Sequence, residues 1–577
     1  MKTILTTLNS QFVHSNLALR YLREQARHDG IAVELLEYTI NTRNELIIRD
    51  LVARAPDVVA FSVYIWNVQP TLALIADLKK YLPQCSIVVG GPEVSYAVQE
   101  LLLANPALDF VLAGEIVGQF SQLLTALQTQ TDYRGIANLG YRNDTNIVIN
   151  ACEPLESNLT AIFPYNDSDF LQTNQIIYYE SSRGCPYNCS YCLSAAGRGV
   201  RFRDPDVVIG ELQWLIDRSP KQIKFVDRTF NVNPAHYLPI LHFLSRVDST
   251  ANFHFEIVGE LITDEFLEIV AAAPVGRFQF EAGLQSFNPP TLSAINRNNN
   301  YALSCERFSK LQANNNSHLH IDLIAGLPYE GYKEFARSFD LAYAIQSDML
   351  QLGFLKLLNG TPLYREVAQH GYVFQTLPPY TVIANNYISA EELLRLKSLE
   401  EVLEIFTNSG RAKRSLEYLR QQAGSAFAVF QAIGDYWRAE RLYLQPHKPE
   451  KLYKHLLTAV QEKFAAHSEK FAQLLKKDVY CLEKTLLAKN ELWFDNNEFR
   501  SQKDQLLRNE QLREIYCPGF KMDSWRNLRN NFEIGIFCLD ERYRALLFDY
   551  RTQPVTVREI AEEHFGEICA TTNIQAS

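Results

Sequence analysis

The chain has 577 residues, 47% hydrophobic, 12% aromatic and 21% charged, which excludes a disordered chain and, at roughly 150 residues per domain, corresponds to about three or four domains. Acidic residues outnumber basic ones 66 to 56, for a formal net charge of −10, so nucleic acid as a partner is not indicated. No apolar run reaches the ~18 residues of a membrane span. The N-terminus turns polar at Asn9-Ser10-Gln11 rather than extending into a secretory signal. No membrane association and a cytoplasmic location are expected.

Residues 1–135 alternate strand-like and helix-like segments. Thr3–Leu8, Ala32–Glu37, Val58–Val63, Ile87–Gly90 and Phe110–Ala113 are short apolar runs without strict alternation, as in strands buried on both faces. With amphipathic stretches such as Leu17–Gln25 between them, they predict a flavodoxin-like, doubly wound parallel sheet. Ligands bind such sheets at the carboxyl ends of the strands. Those ends read Asn9 to Ser15 after the first strand, Tyr64-Ile65-Trp66-Asn67 after the third, Gly90-Gly91-Pro92-Glu93 after the fourth and Gly114-Glu115 after the fifth. The glycine pair either admits a ligand to the backbone or only shapes a turn.

Residues 136–173 read as a hairpin and a linker, with Pro154 and Pro164. Residues 174–384 hold a second alternating series. Its strand candidates are Ile176–Glu180, Ile223–Val226, Phe253–Val258, Phe278–Ala282, Leu319–Ile324 and Leu350–Leu355. Six strand–helix repeats predict a partial (β/α)6 TIM-type barrel with its active site at the C-terminal mouth. Residues 385–577 read as a mostly helical domain, in which Leu393, Leu396, Leu399, Leu403 and Phe406 form a helical core stripe. Strands are expected near Phe532–Cys538 and Leu546–Tyr550, and Asn298–Asn300 reads as a turn.

Seven of the ten cysteines are scattered, and three fall within Ser181-Ser182-Arg183-Gly184-Cys185-Pro186-Tyr187-Asn188-Cys189-Ser190-Tyr191-Cys192. Close-spaced thiolates hold soft metals and iron–sulfur clusters. Structural zinc wants four closed ligands, and neither a second CxxC nor a histidine follows nearby. Three cysteines on a 4Fe–4S cubane leave one iron without a protein ligand from this loop, free to bind a substrate or cofactor.

CxxxCxxC with an aromatic residue, Tyr191, before the last cysteine resembles the signature of radical S-adenosylmethionine enzymes. Phe225-Val226-Asp227-Arg228, His254-Phe255-Glu256, Glu281-Ala282-Gly283-Leu284-Gln285-Ser286 and Asp322 to Pro328 are similar to the family's later strand-end segments, in the same order. The resemblance implies that Cys185, Cys189 and Cys192 hold a 4Fe–4S cluster whose open iron takes the methionine part of S-adenosylmethionine. It also implies that Tyr191, Asp227, Glu256, Glu281 and Gln285 lie near that cofactor. Glu256, Glu281 and Gln285 either bond methionine or ribose or are paired structural groups, and Arg183 either pairs a carboxylate near the cluster or serves packing.

The N-terminal sheet resembles the cobalamin-binding domain of one branch of this superfamily. That places Ser62, Tyr64, Trp66, Gly90, Gly91, Pro92, Glu93, Gly114 and Glu115 around a corrin and its tail. The cobalt-ligating DxHxxG motif is departed from on both sides of His14, at Phe12 and Leu17; several members of the branch bind cobalamin without histidine, and His14 is read as a helix-entry or loop-packing residue ahead of the alternative, a cobalt ligand. The resemblance implies reductive cleavage of S-adenosylmethionine and radical methylation of a small-molecule or otherwise unknown substrate. An electron donor such as flavodoxin or ferredoxin is implied. The alternatives are rearrangement, oxidation or thiolation without cobalamin, and a non-catalytic iron–sulfur sensor.

Overall fold

The computed structural model describes residues 1–564 apart from 144–145, 154–158, 160–161, 171–174, 197–198, 298–299, 490–491, 498–499, 522–523, 540–541 and 562. Parts of the expected linker and of the Asn298–Asn300 turn therefore lie outside the described residues. The chain forms two compact units, one of Met1–Ser338, Ile345–Asp348 and Leu352–Ala390, the other of Phe339–Ala344, Met349–Gln351 and Glu391–Ser577.

In the first unit, β1 (Thr3–Asn9), β2 (Val33–Thr39), β3 (Val58–Ser62), β4 (Ser86–Gly90) and β5 (Phe110–Leu112) pair in parallel in the order β2-β1-β3-β4-β5. Every residue of β1 and β3 is buried. The two-residue period of a strand explains this. Ile4, Leu8, Val59, Phe61, Ile87 and Val89 feed one core, and Leu5, Val58, Ala60, Val88 and Leu112 feed another on the opposite face. The expected hairpin is β6 (Leu139–Asn143) and β7 (Asn146–Ile149), its turn at 144–145 lying outside the described residues. It extends the sheet antiparallel to β5, which the sequence reading did not anticipate.

The second sheet has the order β15-β14-β13-β12-β11-β8, from β8 (Ile177–Tyr179), β11 (Gln222–Phe225), β12 (Asn252–Glu256), β13 (Phe278–Gln285), β14 (His318–Ala325) and β15 (Met349–Phe354). Strands β8 to β14 are parallel. Phe255 packs on Phe225, Phe230 and Phe280, and helices Pro234–Arg246 and Asp264–Ala271 add Tyr237 and Phe266 to this aromatic layer. The same period turns Lys224, His254, Glu256, Glu281, His320 and Asp322 to the other face, the barrel interior. The expected α/β class, with a doubly wound sheet ahead of a six-stranded partial barrel, is the fold observed.

Between β8 and β11 the chain forms an antiparallel ribbon of β9 (Ser182–Cys185) and β10 (Gly199–Phe202), absent from the sequence reading. A short antiparallel pair, β16 (Val373–Phe374) and β17 (Val382–Ala384), follows β15.

The second unit is mainly helical, with Leu396, Leu399, Leu403 and Phe406 fully buried as the stripe requires. Helices Lys413–Ala423 and Ser468–Leu482 are joined at a buried carboxylate: Ser415 donates its N–H and Oγ to Asp478 at 3.0 and 2.9 Å. Its antiparallel sheet comprises β18 (Phe532–Leu539), β19 (Arg542–Asp549) and a third strand not expected, β20 (Thr556–Glu559). Among the described residues no helix is long and apolar enough to cross a membrane.

Candidate cluster loop and cofactor cavity

Cys185 ends β9, Cys189 is buried in the loop beyond it, and Cys192 precedes a short turn at Leu193–Ala196. Burial pushes the Cys185 thiol up, and the neighbouring Cys192 and Cys189 push it further, so the three sulfurs share one electrostatic neighbourhood. Thr229 Oγ1 lies 4.0 Å from Cys185 Sγ. Arg297, half-buried and beyond the reach of any local motif, directs Nη1 at Cys189 Sγ from 3.7 Å and donates Nη2 to the Gly283 carbonyl. Tyr191 is packed beside Cys189 and Arg297, and burial raises its hydroxyl well above the ordinary tyrosine range.

A cavity of about 990 Å³ opens beside this loop. Leu5, Leu19, Val88, Leu112 and Phe120 line its interior between the N-terminal sheet and its helices, and Ser182, Arg183, Gly184, Leu193 and Arg201 line it from the cluster side. Protein interiors are close-packed, and small-ligand and cofactor sites run from ~300 to 1,000 Å³, so a cavity of this size has room for a cofactor. Ser62, Tyr64, Trp66, Gly90, Gly91, Pro92, Gly114 and Glu115 line it. Tyr64 and Trp66 stack at 4.4 Å and 8°, with Trp66 45% exposed. Gly91 has φ +121°, and a Cβ there would meet the Val63 backbone, so the close approach needs glycine. One residue departs from expectation. Glu93 does not line the cavity, because its carboxylate accepts a hydrogen bond from Tyr380 at 2.5 Å. Glu115 is engaged by Arg183 at 3.0 Å and by Arg201, which ties the fifth-strand loop to the β9–β10 ribbon.

Residues 4–124 match the B12 binding domain, residues 179–342 the radical SAM superfamily, and residues 368–553 a protein family of unknown function, DUF4080. The chain carries a B12-binding domain followed by a radical SAM domain. It is 24% identical over 421 residues to the 2-(S-pantetheinyl)-carbapenam-3-carboxylate methyltransferase of Streptantibioticus cattleyicolor, covering 65% of this chain and 60% of that protein. It is equally 24% identical over 429 residues to the cobalamin-dependent radical SAM methyltransferase TokK of Streptomyces tokunonensis, covering 66% and 61%. The chain thus spans about three fifths of the length of these curated relatives. The structure of the cobalamin-dependent S-adenosylmethionine radical enzyme OxsB with aqua-cobalamin and S-adenosylmethionine bound shares the fold at a TM-score of 0.58 and 13% identity, over 92% of this chain and 83% of that one. A radical SAM domain implies a 4Fe–4S cluster and S-adenosylmethionine, and a B12-binding domain implies cobalamin.

The interior of the radical SAM domain fits a polar cofactor. Gln285 ends β13 at φ +70°, and among the described residues its buried Oε1 has no hydrogen-bond partner, an acceptor available to a hydroxyl. Glu256 ends β12, with Arg228 Nη1 3.8 Å away; burial holds its carboxyl up at about 7. Glu281 is already paired, with His254 Nε2 at 3.1 Å and Lys224 Nζ at 3.4 Å, and the histidine holds its carboxyl down at about 2. Asp227 departs furthest from the expected cofactor contact. It is 1% exposed and accepts from Ser181 N–H at 2.8 Å, Ser182 Oγ at 2.8 Å and Ser181 Oγ, which braces the start of the cluster loop.

Glu256 carries a pH prediction. Its carboxyl is mostly protonated below pH 7 and charged above it, so a hydrogen bond accepted from the cofactor's amino or ribose hydroxyl group strengthens as pH rises through that value. Equilibrium dialysis is expected to show S-adenosylmethionine binding several-fold tighter at pH 8 than at pH 6, and Glu256→Gln is expected to flatten the difference. Identical pH dependence in the two proteins would remove Glu256 from the cofactor's contacts.

Proposed function

We propose that the chain is a cobalamin-dependent radical S-adenosylmethionine enzyme that methylates a small-molecule substrate or transforms it by a related radical route. The observation that carries this is a shared wall: the ribbon and loop bearing the three cysteines line the same cavity as the glycine-rich strand ends of the B12-binding domain. When bound, the cofactors supply one-electron cleavage of S-adenosylmethionine and methyl transfer.

The protein's part is to bind, orient and exclude water. Cys185, Cys189 and Cys192 hold the cluster, and Arg297 sets a cation beside Cys189. Glu256 and Gln285 offer a carboxyl group and an amide oxygen to S-adenosylmethionine, while Asp227 and Glu281 act through their neighbours by fixing Ser181, Ser182, His254 and Lys224. Gly90, Gly91 and Gly114 let a corrinoid approach the backbone, and the Tyr64–Trp66 stack gives it an aromatic wall. A cytoplasmic electron donor such as flavodoxin or ferredoxin is the reductant in this reading.

The test is anaerobic reconstitution with iron, sulfide and hydroxocobalamin, followed by desalting, metal analysis and reduction in the presence of S-adenosylmethionine. Cluster iron, stoichiometric cobalt and formation of 5′-deoxyadenosine and S-adenosylhomocysteine are expected. Iron without cobalt would remove methyl transfer from the reading, and uncleaved S-adenosylmethionine would sink the enzyme.

A further inference from the structure

His320 and Asp322 of β14 point into the barrel beside Glu281 of β13. In the β13–β14 register Glu281 lies opposite His320, and Gly283 opposite Asp322. Three side chains able to chelate therefore meet on two adjacent strands: Glu281, His320 and Asp322 each bring a ligand atom within 4.8 Å of the other two. Ligand atoms at ~2.0–2.2 Å from one ion lie roughly 3–4 Å apart, so the group needs only a small contraction to close on a metal.

The hydrogen bonding singles out the same place. His320 is 7% exposed and His254 of β12 is 4% exposed, and buried polar atoms are nearly always hydrogen-bonded. Among the described residues, however, His320 Nε2, Asp322 Oδ1 and His254 Nε2 have no hydrogen-bond partner. Distance is not the reason. His320 Nε2 is 2.9 Å from Asp322 Oδ1, and His254 Nε2 is 3.1 Å from Glu281 Oε2, so these atoms are close without being aligned to donate and accept. An ion-pair network shielded from water needs that alignment to offset its desolvation. Nitrogen and oxygen atoms that crowd together without bonding are the arrangement of donors that share a cation. Lys224 balances Glu281 alone: its ammonium reaches Oε2 at 3.4 Å, the oxygen that His254 also approaches, and Oε1 is left uncommitted among the described residues.

We propose that Glu281, His320 and Asp322 bind a divalent first-row metal ion inside the barrel, at a site separate from the cysteine loop. One imidazole with two carboxylates suits manganous, ferrous or zinc ions rather than the soft metals that thiolates select. Three protein ligands leave coordination positions for water or for an oxygen of a substrate, as in open metal sites. His254, beside Glu281, is a positioning residue for that carboxylate. The inference does not depend on cobalamin.

The test titrates the full chain, before any iron is added, with manganese(II), a hard ion that carboxylates favour and thiolates do not. The six-line paramagnetic resonance of free manganese fades as the ion binds. Stoichiometric binding is expected, with a histidine nitrogen detected on the metal by spin-echo spectroscopy and shifted in frequency when the protein carries ¹⁵N-histidine. Asp322→Asn and Glu281→Gln are each expected to weaken binding by ~10-fold or more, since loss of a ligand's orienting partner alone costs that much. His320→Ala is expected to lose the nitrogen signal as well. His242→Ala removes an exposed histidine 3.8 Å from Glu265 on helix Pro234–Arg246 and should change nothing. Each variant is qualified by a circular dichroism spectrum and melting curve matched to wild type, and the two amide variants, which keep side-chain volume, decide the question if His320→Ala does not fold. No bound manganese in the wild type, or binding unchanged in all three variants, overturns the site. A nitrogen signal that survives His320→Ala but disappears in His254→Ala overturns the ligand set.

Discussion

Replacing Cys189 by alanine is expected to abolish the cluster, with iron after anaerobic reconstitution and desalting falling to background and S-adenosylmethionine cleavage lost with it. Cys189 is one of only three cysteines in the loop, so no spare thiol stands beside it in sequence. Loss of a ligand's hydrogen-bond partner alone costs ~10–100-fold in metal affinity; loss of the ligand costs more. Cys185→Ala and Cys192→Ala carry the same expectation. Cys305→Ala is the control. That residue is half-buried on helix Tyr301–Ala313, far along the chain from the CxxxCxxC segment, and its removal should leave iron and cleavage unchanged. A Cys189→Ala protein with full iron and activity would sink the cluster assignment.

The architecture is legible in the sequence because its signals are local. A strand buried on both faces writes its own apolar run, as Val58–Ser62 does, and six such runs separated by helices admit few topologies. The CxxxCxxC spacing is likewise complete within eight residues. Side-chain direction is less legible. Glu93 sits on the expected fourth-strand loop, but Tyr380, 287 residues away, takes its carboxylate from the cavity. Asp227 was placed on the right strand end, yet Ser181 and Ser182 turn it inward to brace the loop. Those serines adjoin the cysteine motif and were a readable signal, since a buried carboxylate needs donors. Arg297 had no such signal: it lies 108 residues from Cys189, next to an asparagine run that reads as a turn. The bond between His14 and Tyr178 spans 164 residues.

Gly184→Ala is expected to be the most damaging substitution in the loop that leaves every thiol in place. Gly184 has φ +99°, a conformation that costs an L-residue roughly 1–2 kcal/mol, and it pairs with Val200 across the β9–β10 ribbon. A Cβ there would be driven onto the Gly199 carbonyl, which is backbone and can yield only if the ribbon opens. Cys185 is the next residue and pairs with Gly199, so opening the ribbon displaces the first cluster ligand directly. It also moves Arg183 and Arg201, the two cations that hold Glu115 at the cavity wall. One methyl group should therefore lower both cofactor loads, with iron per chain down several-fold and hydroxocobalamin retention reduced. Gly210→Ala separates this from a general intolerance of alanine: that glycine is in helix Pro205–Ile216 with nothing within 4 Å of a new Cβ. There the exchange should be neutral or stabilise by ~0.5–1 kcal/mol, with both metals unchanged. If Gly184→Ala reconstitutes iron and cobalt as fully as Gly210→Ala, the ribbon does not set the cluster loop, and the shared wall between the two cofactor sites loses its structural basis.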